Sequence, residues 1–506
     1  MDIFGFDILT LFTLTNLIAI LLGTFVGILF GSVPGLGIAL TLVLLLPITY
    51  NMEPVAGILL LLAAFQGAEY GGSISAIMLN IPGTGAAIVT TFDGHPLAKK
   101  SSPGKALGYS LVASTIGGLI GGIALIFLSV PFGKFALLIY DPEYFLLALL
   151  GLIGVIFMGT EKDRVKTVIS VVLGLMAATV GMDLFTGASR FTLGQPALFE
   201  GINVIALIIG MFAISEVIVL ISEELHKKFK AKDKKGLSTR MSFKDIKSVG
   251  KPTAIGSIIG VLIGIFPGMG SGTSSVFSYS IAKKISKSPE TFGKGNPEGI
   301  AAAESANNAT VGGALIPLFT LGIPGSVGVA IVMGGFIIHG IRPGPGLLQD
   351  DSNLVYAIFF GFLLTTLAMY LIGRLITPLF ARIVTIPNSI LIPAVLCVSL
   401  IGVYVSTRLH FYLWFALGFG LFSYVFRKLG YSMVGFIMAF ILCPIIEKSL
   451  RRTLVLTDGS YSIFVTRGYS LAIVLVILGV IVFFIIQWRK DRKNKSGEII
   501  ESEKVI

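Results

Sequence analysis

The chain has 506 residues, of which 54% are hydrophobic and 13% charged, and its mean hydropathy is +0.92. A soluble domain carries roughly 25% charged residues, so this composition leaves too little polar surface for a water-soluble enzyme. The net charge of +11 does not indicate nucleic-acid binding, because the cations lie in short segments between apolar runs and at the C-terminal end.

Long apolar runs recur from the beginning of the chain to its last hydrophobic segment. A bilayer core needs about 20 mostly apolar residues per helix, and lipid offers no partner to a bare backbone N–H or C=O. The runs therefore predict an all-α polytopic membrane protein with about ten to twelve membrane helices. The clearest runs are 9–31, 107–130, 144–158, 202–220, 356–372 and 471–487.

Two Pro-Gly motifs of the first half recur in the second half, in the same order and at similar spacing. Residues 31–37 are echoed by 264–270, and residues 70–84 by 311–326. This self-similarity predicts an internal repeat. Proline removes a backbone donor and kinks a helix, so the motifs predict broken or re-entrant helices, with simple kinking as the alternative. The four prolines are Pro34, Pro82, Pro267 and Pro324.

The cations near these motifs change sides between the halves, which predicts that the two repeats are inverted. The segment 50–53 has no cation, whereas its counterpart 283–294 is rich in lysine. After the second motif the bias reverses, and cations favour the cytoplasmic side. Inverted repeats with paired helix breaks are typical of secondary transporters, whose substrate site lies at the repeat interface.

The repeats and the charge pattern together predict the organisation of the chain. Cation-rich segments are expected in the cytoplasm, which places the central linker and the C-terminus there. The predicted segments are a first transmembrane repeat (1–222), a basic cytoplasmic linker (223–251), a second transmembrane repeat (252–445), an additional C-terminal helix (446–488) and a cytoplasmic tail (489–506).

The motifs resemble those of the large membrane subunit, TctA, of tripartite tricarboxylate transporters. The resemblance implies a permease subunit in a bacterial or archaeal inner membrane that imports a tricarboxylate such as citrate, or a related carboxylate. It also implies a small TctB-like membrane subunit, a periplasmic TctC-like solute-binding protein, and coupling to a Na⁺ or H⁺ gradient. The matching segments are 34–37, 70–73, 80–84, 91–96, 267–270, 292–295, 303–309, 322–326 and 339–345.

Polar side chains surround the predicted breaks, where they would be costly in lipid unless they face a cavity or one another. Hydroxyl and N–H groups donate to carboxylates, and hydroxyl and amide oxygens suit Na⁺, so one cluster can serve both ligands. Packing between helices is the alternative for any single residue. The candidates for substrate binding are Pro34, Gly35, Gly37, Ser73, Asn80, Pro82, Gly83, Thr84, Pro267, Gly268, Gly270, Ser271, Asn307, Asn308, Pro324, Gly325 and Ser326.

Ionisable residues within the apolar runs are the candidates for cation coupling. Glu304 shares a helix face with Asn307 and Asn308, which follow three and four residues later. The coupling candidates are therefore Glu304, Asn307 and Asn80, although Glu304 could instead cap a helix or bond a neighbouring helix. Glu69 and Asp93 are similar cases, although the Asp93-Gly94 pair favours a turn at the membrane edge.

The sequence predicts no enzymatic activity, no metal and no cofactor apart from the coupling ion. It contains no phosphate-binding loop of the Gly-x-x-x-x-Gly-Lys-Ser/Thr type. It also offers no convincing acid, base and nucleophile set. An ion channel or a membrane-embedded enzyme that uses the same helix breaks is the alternative class.

Overall fold

The computed structural model describes residues 2–3, 6–158, 164–183, 185–222, 238–380, 388–482 and 486. Helices dominate these residues, and the described strands form two short antiparallel pairs. The strands are β1 (Asp2–Ile3), β2 (Phe6–Asp7), β3 (Gly181–Met182) and β4 (Ser189–Arg190). The helices are α1 (Leu14–Gly31), α2 (Gly37–Leu45), α3 (Pro54–Leu79), α4 (Ile88–Lys100), α5 (Pro103–Ala136), α6 (Asp141–Met158), α7 (Arg164–Ala178), α8 (Val204–Ile208), α9 (Ser215–Ser222), α10 (Phe243–Ser248), α11 (Gly250–Ile265), α12 (Gly270–Ile285), α13 (Pro297–Leu321), α14 (Val327–Ile338), α15 (Leu347–Asp350), α16 (Ser352–Phe380), α17 (Asn388–Thr407), α18 (Phe411–Lys428), α19 (Met433–Leu456) and α20 (Ile463–Thr466).

Many of these helices are apolar enough for a membrane. In the described part of the chain, 7 helices have the length and composition to cross one. Shorter apolar helices lie at Gly37–Asn51, Gly250–Ile265, Val327–Ile338 and Gly468–Val482. The prediction of an all-α polytopic membrane protein is confirmed.

The chain divides into two compact units. The first comprises residues 1–136 and 180–429, and the second comprises 137–179 and 430–506. The predicted end of the second repeat at residue 445 falls inside α19, which continues to Leu456. Most of the predicted linker, 223–237, and the predicted tail lie outside the described residues.

The second unit contains α6, α7, α19 and α20. Its α7 and α19 meet at Gly174, whose missing side chain leaves room for the carbonyl group of Phe436. Buried Glu143 at the start of α6 accepts hydrogen bonds from Arg467 Nε, at 2.8 Å, and from the Ser470 hydroxyl. This unit therefore has its own packed contacts and its own ion pair, in which Glu143 is buried and Arg467 is partly exposed.

In the first unit, two glycine seams bring helices into backbone contact. A Cβ on Gly27 of α1 would lie 2.9 Å from the Cα of Ala64 of α3. A Cβ on Gly260 of α11 would overlap the carbonyl oxygen of Ala306 of α13. Small residues at every fourth position permit such close approach between membrane helices. The facing pairs, in order, are Gly23–Leu60, Gly27–Ala64 and Gly31–Ala68 in the first half, and Gly256–Ala302, Gly260–Ala306 and Gly264–Thr310 in the second.

The backbone at the predicted breaks also recurs. Gly35 and Gly37 have φ of 96° and 57°, and Gly268 and Gly270 have φ of 86° and 61°. Such left-handed φ values favour glycine, which explains the glycines that follow Pro34 and Pro267. The breaks between α1 and α2 and between α11 and α12 therefore share one conformation.

The second pair of breaks is alike as well. Helix α3 ends at Asn80 and α13 at Gly322, both in the left-handed conformation with φ of 60° and 72°. Beyond each helix end, the following loop folds back and bonds to the same helix. Gly83 N donates to Gly72 O of α3 at 3.2 Å, and Gly325 N donates to Ala314 O of α13 at 3.3 Å. The recurrence agrees with the predicted repeat, whereas the predicted inversion stays a prediction.

Candidate functional site

Five of the buried polar side chains in the middle of α3 and α13 form a group that we call the central polar cluster. Each is at most 1% exposed. The glycine seams determine which way these side chains point. Ala64 faces α1, and Ala306 faces α11. Because a helix turns about 100° per residue, the residue two positions after each alanine lies on the opposite face of its helix. The members of the cluster are Gln66, Glu69, Glu304, Asn307 and Asn308.

A hydrogen bond between Gln66 and Asn308 joins the two helices. Asn308 Nδ2 donates to Gln66 Oε1 at 2.5 Å and to the Gln66 carbonyl oxygen at 3.2 Å. Gln66 lies two residues after Ala64, and Asn308 lies two residues after Ala306. The two amides therefore occupy equivalent positions of the recurring pattern. A residue meets its own equivalent close to a twofold axis, as in a symmetric dimer. This contact therefore joins α3 and α13 through equivalent positions, as expected near such an axis.

Glu69 in the first half receives its hydroxyl partner from the second half. Ser271 Oγ donates to Glu69 Oε1 at 2.7 Å, and Asn307 Nδ2 donates to the Glu69 carbonyl oxygen at 3.2 Å. Among the described residues, buried Glu69 Oε2, Asn307 Oδ1 and Asn308 Oδ1 have no hydrogen-bond partner. Buried oxygens are normally satisfied, so these three acceptors are suited to a cation or a donor group from a ligand.

Glu304 in the second half shows the converse arrangement. Its carboxylate accepts hydrogen bonds from Thr90 of α4 and from Ser114 of α5, the latter at 3.1 Å. It lies in the interior of α13 and is fully buried, so it bonds neighbouring helices and does not cap its own. Each half thus contributes one buried carboxylate, and the other half contributes its hydroxyl partners.

The predicted breaks meet in pairs within each half. Gly268 N donates to Gly325 O at 2.9 Å, which joins the two breaks of the second half. In the first half, a Cβ on Gly37 would lie 4.0 Å from the Gly83 carbonyl oxygen. The two Pro-Gly motifs of each half, far apart in sequence, therefore form one loop pair.

Three helices that begin at the breaks have uncapped N-termini. No side chain caps the first turn of α2, α4 or α12. The starts of α12 and α4 lie close together, since a Cβ on Gly272 of α12 would lie 3.7 Å from the Gly85 carbonyl oxygen just before α4. Free N–H groups and the positive end of the helix dipole favour anions at such positions.

The remaining predicted residues occupy more varied positions. Ser73 bonds Ser110 of α5 at 2.5 Å, and Ser326 caps α14 by accepting from Val329 N at 3.3 Å. Asn80 is exposed at the end of α3, where its left-handed backbone matches that of Gly322. The side chain of Thr84 is buried against Gly72. Of the prolines, Pro34, Pro82 and Pro267 are half-buried and Pro324 is buried.

Asp93 forms a clamp between the two halves. Its Oδ1 accepts from Gly295 N and Asn296 N, both at 2.8 Å, and its Oδ2 accepts from the Tyr279 hydroxyl at 2.8 Å. The sequence favoured a turn here, but Asp93 lies within α4 and is fully buried. His95 lies nearby with Nδ1 at 2.9 Å from Ile77 O, and the described residues contain no metal-binding group of three or more His, Cys, Asp or Glu.

Sequence reasoning missed two residues of the site: Gln66, a member of the central polar cluster, and Ser114, which donates to Glu304. Gln66 could have been found by aligning the halves on their glycine seams, since that alignment pairs it with Asn308. Ser114 carries no such signal, because its role depends on how α5 packs against α13 near Gly117.

The chain is similar to known proteins over most of its length. The chain matches the family described as the tripartite tricarboxylate transporter TctA family over residues 17–438. An uncharacterised 52.8 kDa protein from the TAR-I ttuC' 3' region of Agrobacterium vitis is 33% identical over 491 residues, which cover 97% of each chain. An uncharacterised protein from the TAR-II ttuC' 3' region of the same organism is 34% identical over 212 residues, 41% of this chain and 88% of that protein. No solved structure matches the chain.

Proposed function

Because this chain belongs to the tripartite tricarboxylate transporter TctA family, and so is a multi-pass membrane subunit of a transporter, we propose that it imports a tricarboxylate such as citrate, or a related carboxylate, with a Na⁺ or H⁺ gradient. Its partners are a small TctB-like membrane subunit and a periplasmic TctC-like solute-binding protein. It lies in the cytoplasmic membrane of a bacterium or archaeon, with its central linker and C-terminus inside.

The observation that carries the proposal is the pair of buried carboxylates, Glu69 and Glu304, each bonded by hydroxyls of the other half. Like charges repel, and the repulsion is stronger in a buried, low-dielectric site than in water. An anionic substrate could not approach two ionised glutamates without compensation. A proton or Na⁺ on each carboxylate removes this repulsion, and this requirement couples the cation to the substrate.

The uncapped starts of α2, α4 and α12 support the carboxylate part of the proposal. Their N–H groups can donate to substrate oxygens, as helix N-termini do in other anion sites. The unpartnered oxygens of Glu69, Asn307 and Asn308 are acceptors, so they suit the cation. Donors and acceptors are thus divided between the helix starts and the central polar cluster.

The recurring pattern supports an alternating-access mechanism. The two halves carry equivalent seams and breaks, so the packing of one half can exchange with that of the other. The hydroxyl contacts of Glu69 and Glu304 cross between the halves and would change in such a movement. Cation binding at these carboxylates would then bias the exchange.

The test is uptake of labelled citrate and other small carboxylates by proteoliposomes that contain this chain, its small subunit and its binding protein. Imposed Na⁺ and H⁺ gradients are compared. We expect saturable, gradient-dependent uptake that Glu69→Gln and Glu304→Gln reduce at least tenfold, whereas Glu53→Gln and Glu290→Gln, both exposed, leave it unchanged.

Two outcomes would contradict the proposal. Gradient-independent flux that does not saturate would indicate a channel. Full uptake in the Glu69→Gln and Glu304→Gln double variant would remove the carboxylates from the coupling mechanism. Asn307→Ala tests the central polar cluster, and Asn80→Ala tests the exposed end of α3. Only Asn307→Ala is expected to weaken the dependence of uptake on the cation gradient.

A further inference from the structure

A groove of about 770 Å³ lies between α4 and α12, apart from the central polar cluster. Its walls are largely apolar: Ile88 and Phe92 of α4 face Val276 and Tyr279 of α12. Ile88, Phe92 and Val276 are each about half exposed, at 49%, 48% and 51%. The groove is therefore open to its surroundings along an apolar length.

The walls of this groove are held in place by contacts between the two helices. The Tyr279 hydroxyl donates to Asp93 at 2.8 Å, and the Tyr279 ring meets the Phe92 ring edge-on with centroids 5.9 Å apart. The groove is thus a built feature of the interface between α4 and α12.

One end of the groove is basic. Lys283 and Lys284 line it at the C-terminal end of α12. Helix α4 also ends in two lysines, and its Lys100 reaches the Lys294 carbonyl oxygen at 2.7 Å in the loop after α12. Both helices therefore present lysines at the same end, as expected at the cytoplasmic membrane surface.

We propose that this groove binds one anionic phospholipid, with an acyl chain along Ile88, Phe92 and Val276 and the headgroup phosphate on Lys283 and Lys284. From Val276 to Lys283 the wall of α12 is about 10 Å long. A free phosphate or carboxylate would leave this apolar wall uncovered, which favours a lipid. A zwitterionic lipid would lose part of the attraction, because its ammonium group opposes the lysines.

The test measures lipid preference at the groove itself. A Trp reporter is placed by Ile88→Trp in a chain whose two tryptophans, Trp414 and Trp488, are replaced by phenylalanine. The protein is reconstituted in vesicles that contain brominated phosphatidylglycerol or brominated phosphatidylcholine at the same mole fraction, and quenching gives a relative binding constant. We expect at least about a fivefold preference for phosphatidylglycerol, which corresponds to one lysine contact.

The variants decide what carries the preference. Lys283→Gln with Lys284→Gln should abolish it, and the two Lys→Arg substitutions at the same positions should retain it. Lys244→Gln with Lys247→Gln, two exposed lysines on α10, is the matched control and should have no effect. Equal quenching by the two lipids, or a preference that survives the first pair of substitutions, would overturn the proposal.

A further arm separates a lipid from a soluble anion. Inorganic phosphate is added at an ionic strength matched by chloride. If phosphate alone abolishes the preference, the lysines bind a soluble anion and the lipid assignment is overturned. If phosphate and chloride weaken the preference equally, only screening acts, and the lipid assignment is supported.

Discussion

Substituting the seam glycines tests the packing on which the whole site depends. A Cβ at Gly27 would lie 2.9 Å from the Cα of Ala64, and one at Gly260 would lie 2.9 Å from the Cβ of Ala309. Both distances are well inside van der Waals contact, and the Gly27 contact is with backbone, which no rotamer change can relieve. Gly27→Ala and Gly260→Ala should each destabilise the fold by about 1–3 kcal/mol, the usual cost of overpacking.

The matched control is Gly418→Ala, an exposed helical glycine of α18 with no atom near the added Cβ. Alanine is the better helix former there by up to about 1 kcal/mol, so this variant should be neutral or slightly more stable. The assay is thermal unfolding of the purified protein in one detergent at one scan rate, because membrane proteins often unfold irreversibly. Equal midpoints for Gly27→Ala and Gly418→Ala would refute the close contact of α1 and α3.

Three further experiments examine contacts that cross between the halves or that join α5 to α10. Asp93→Ala leaves three donors without their acceptor and should cost about 3 kcal/mol or more of unfolding free energy in thermal unfolding. The Gln66→Leu and Asn308→Leu double variant should lose less unfolding free energy than the sum of the two single losses, with a coupling above about 1 kcal/mol in a double-mutant cycle. Additive losses would contradict the hydrogen bond between the two side chains. The Ser242 hydroxyl and Lys105 lower the pKa of Asp245 to about 2. This exposed pair should contribute at most about 1 kcal/mol to the unfolding free energy. The difference in unfolding free energy between wild type and Asp245→Asn should be constant between pH 5 and 9, persist down to about pH 4, and disappear as the pH falls towards 2.

The position of the helix breaks could be predicted from sequence because it depends on local chemistry. Proline cannot continue a helix, and the left-handed φ values at Gly35 and Gly268 require glycine. The candidate residues near the breaks followed from the cost of polar groups in lipid, a rule that also identified Glu304 and Asn307. Their placement at the substrate and the cation stays a prediction.

Asn80 can be explained in two ways, and its binding role stays a prediction. Its side chain was a candidate because it is polar and follows an apolar run. The structure places it at an exposed helix end, in the left-handed conformation that Asn tolerates better than most residues. A backbone requirement and a binding role can select the same residue type, and composition alone does not separate them.

By itself, the sequence determined that the chain is helical and membrane-embedded, and that two halves share their breaks, because hydropathy and Pro-Gly punctuation act over a few residues. Only the tertiary structure decided which groups meet: Ser271 with Glu69, Ser114 with Glu304, and Gln66 with Asn308. These partners are about 190 to 240 residues apart in the chain. They come together because the glycine seams fix the rotation of α3 and α13, and that rotation is a property of packed helix pairs.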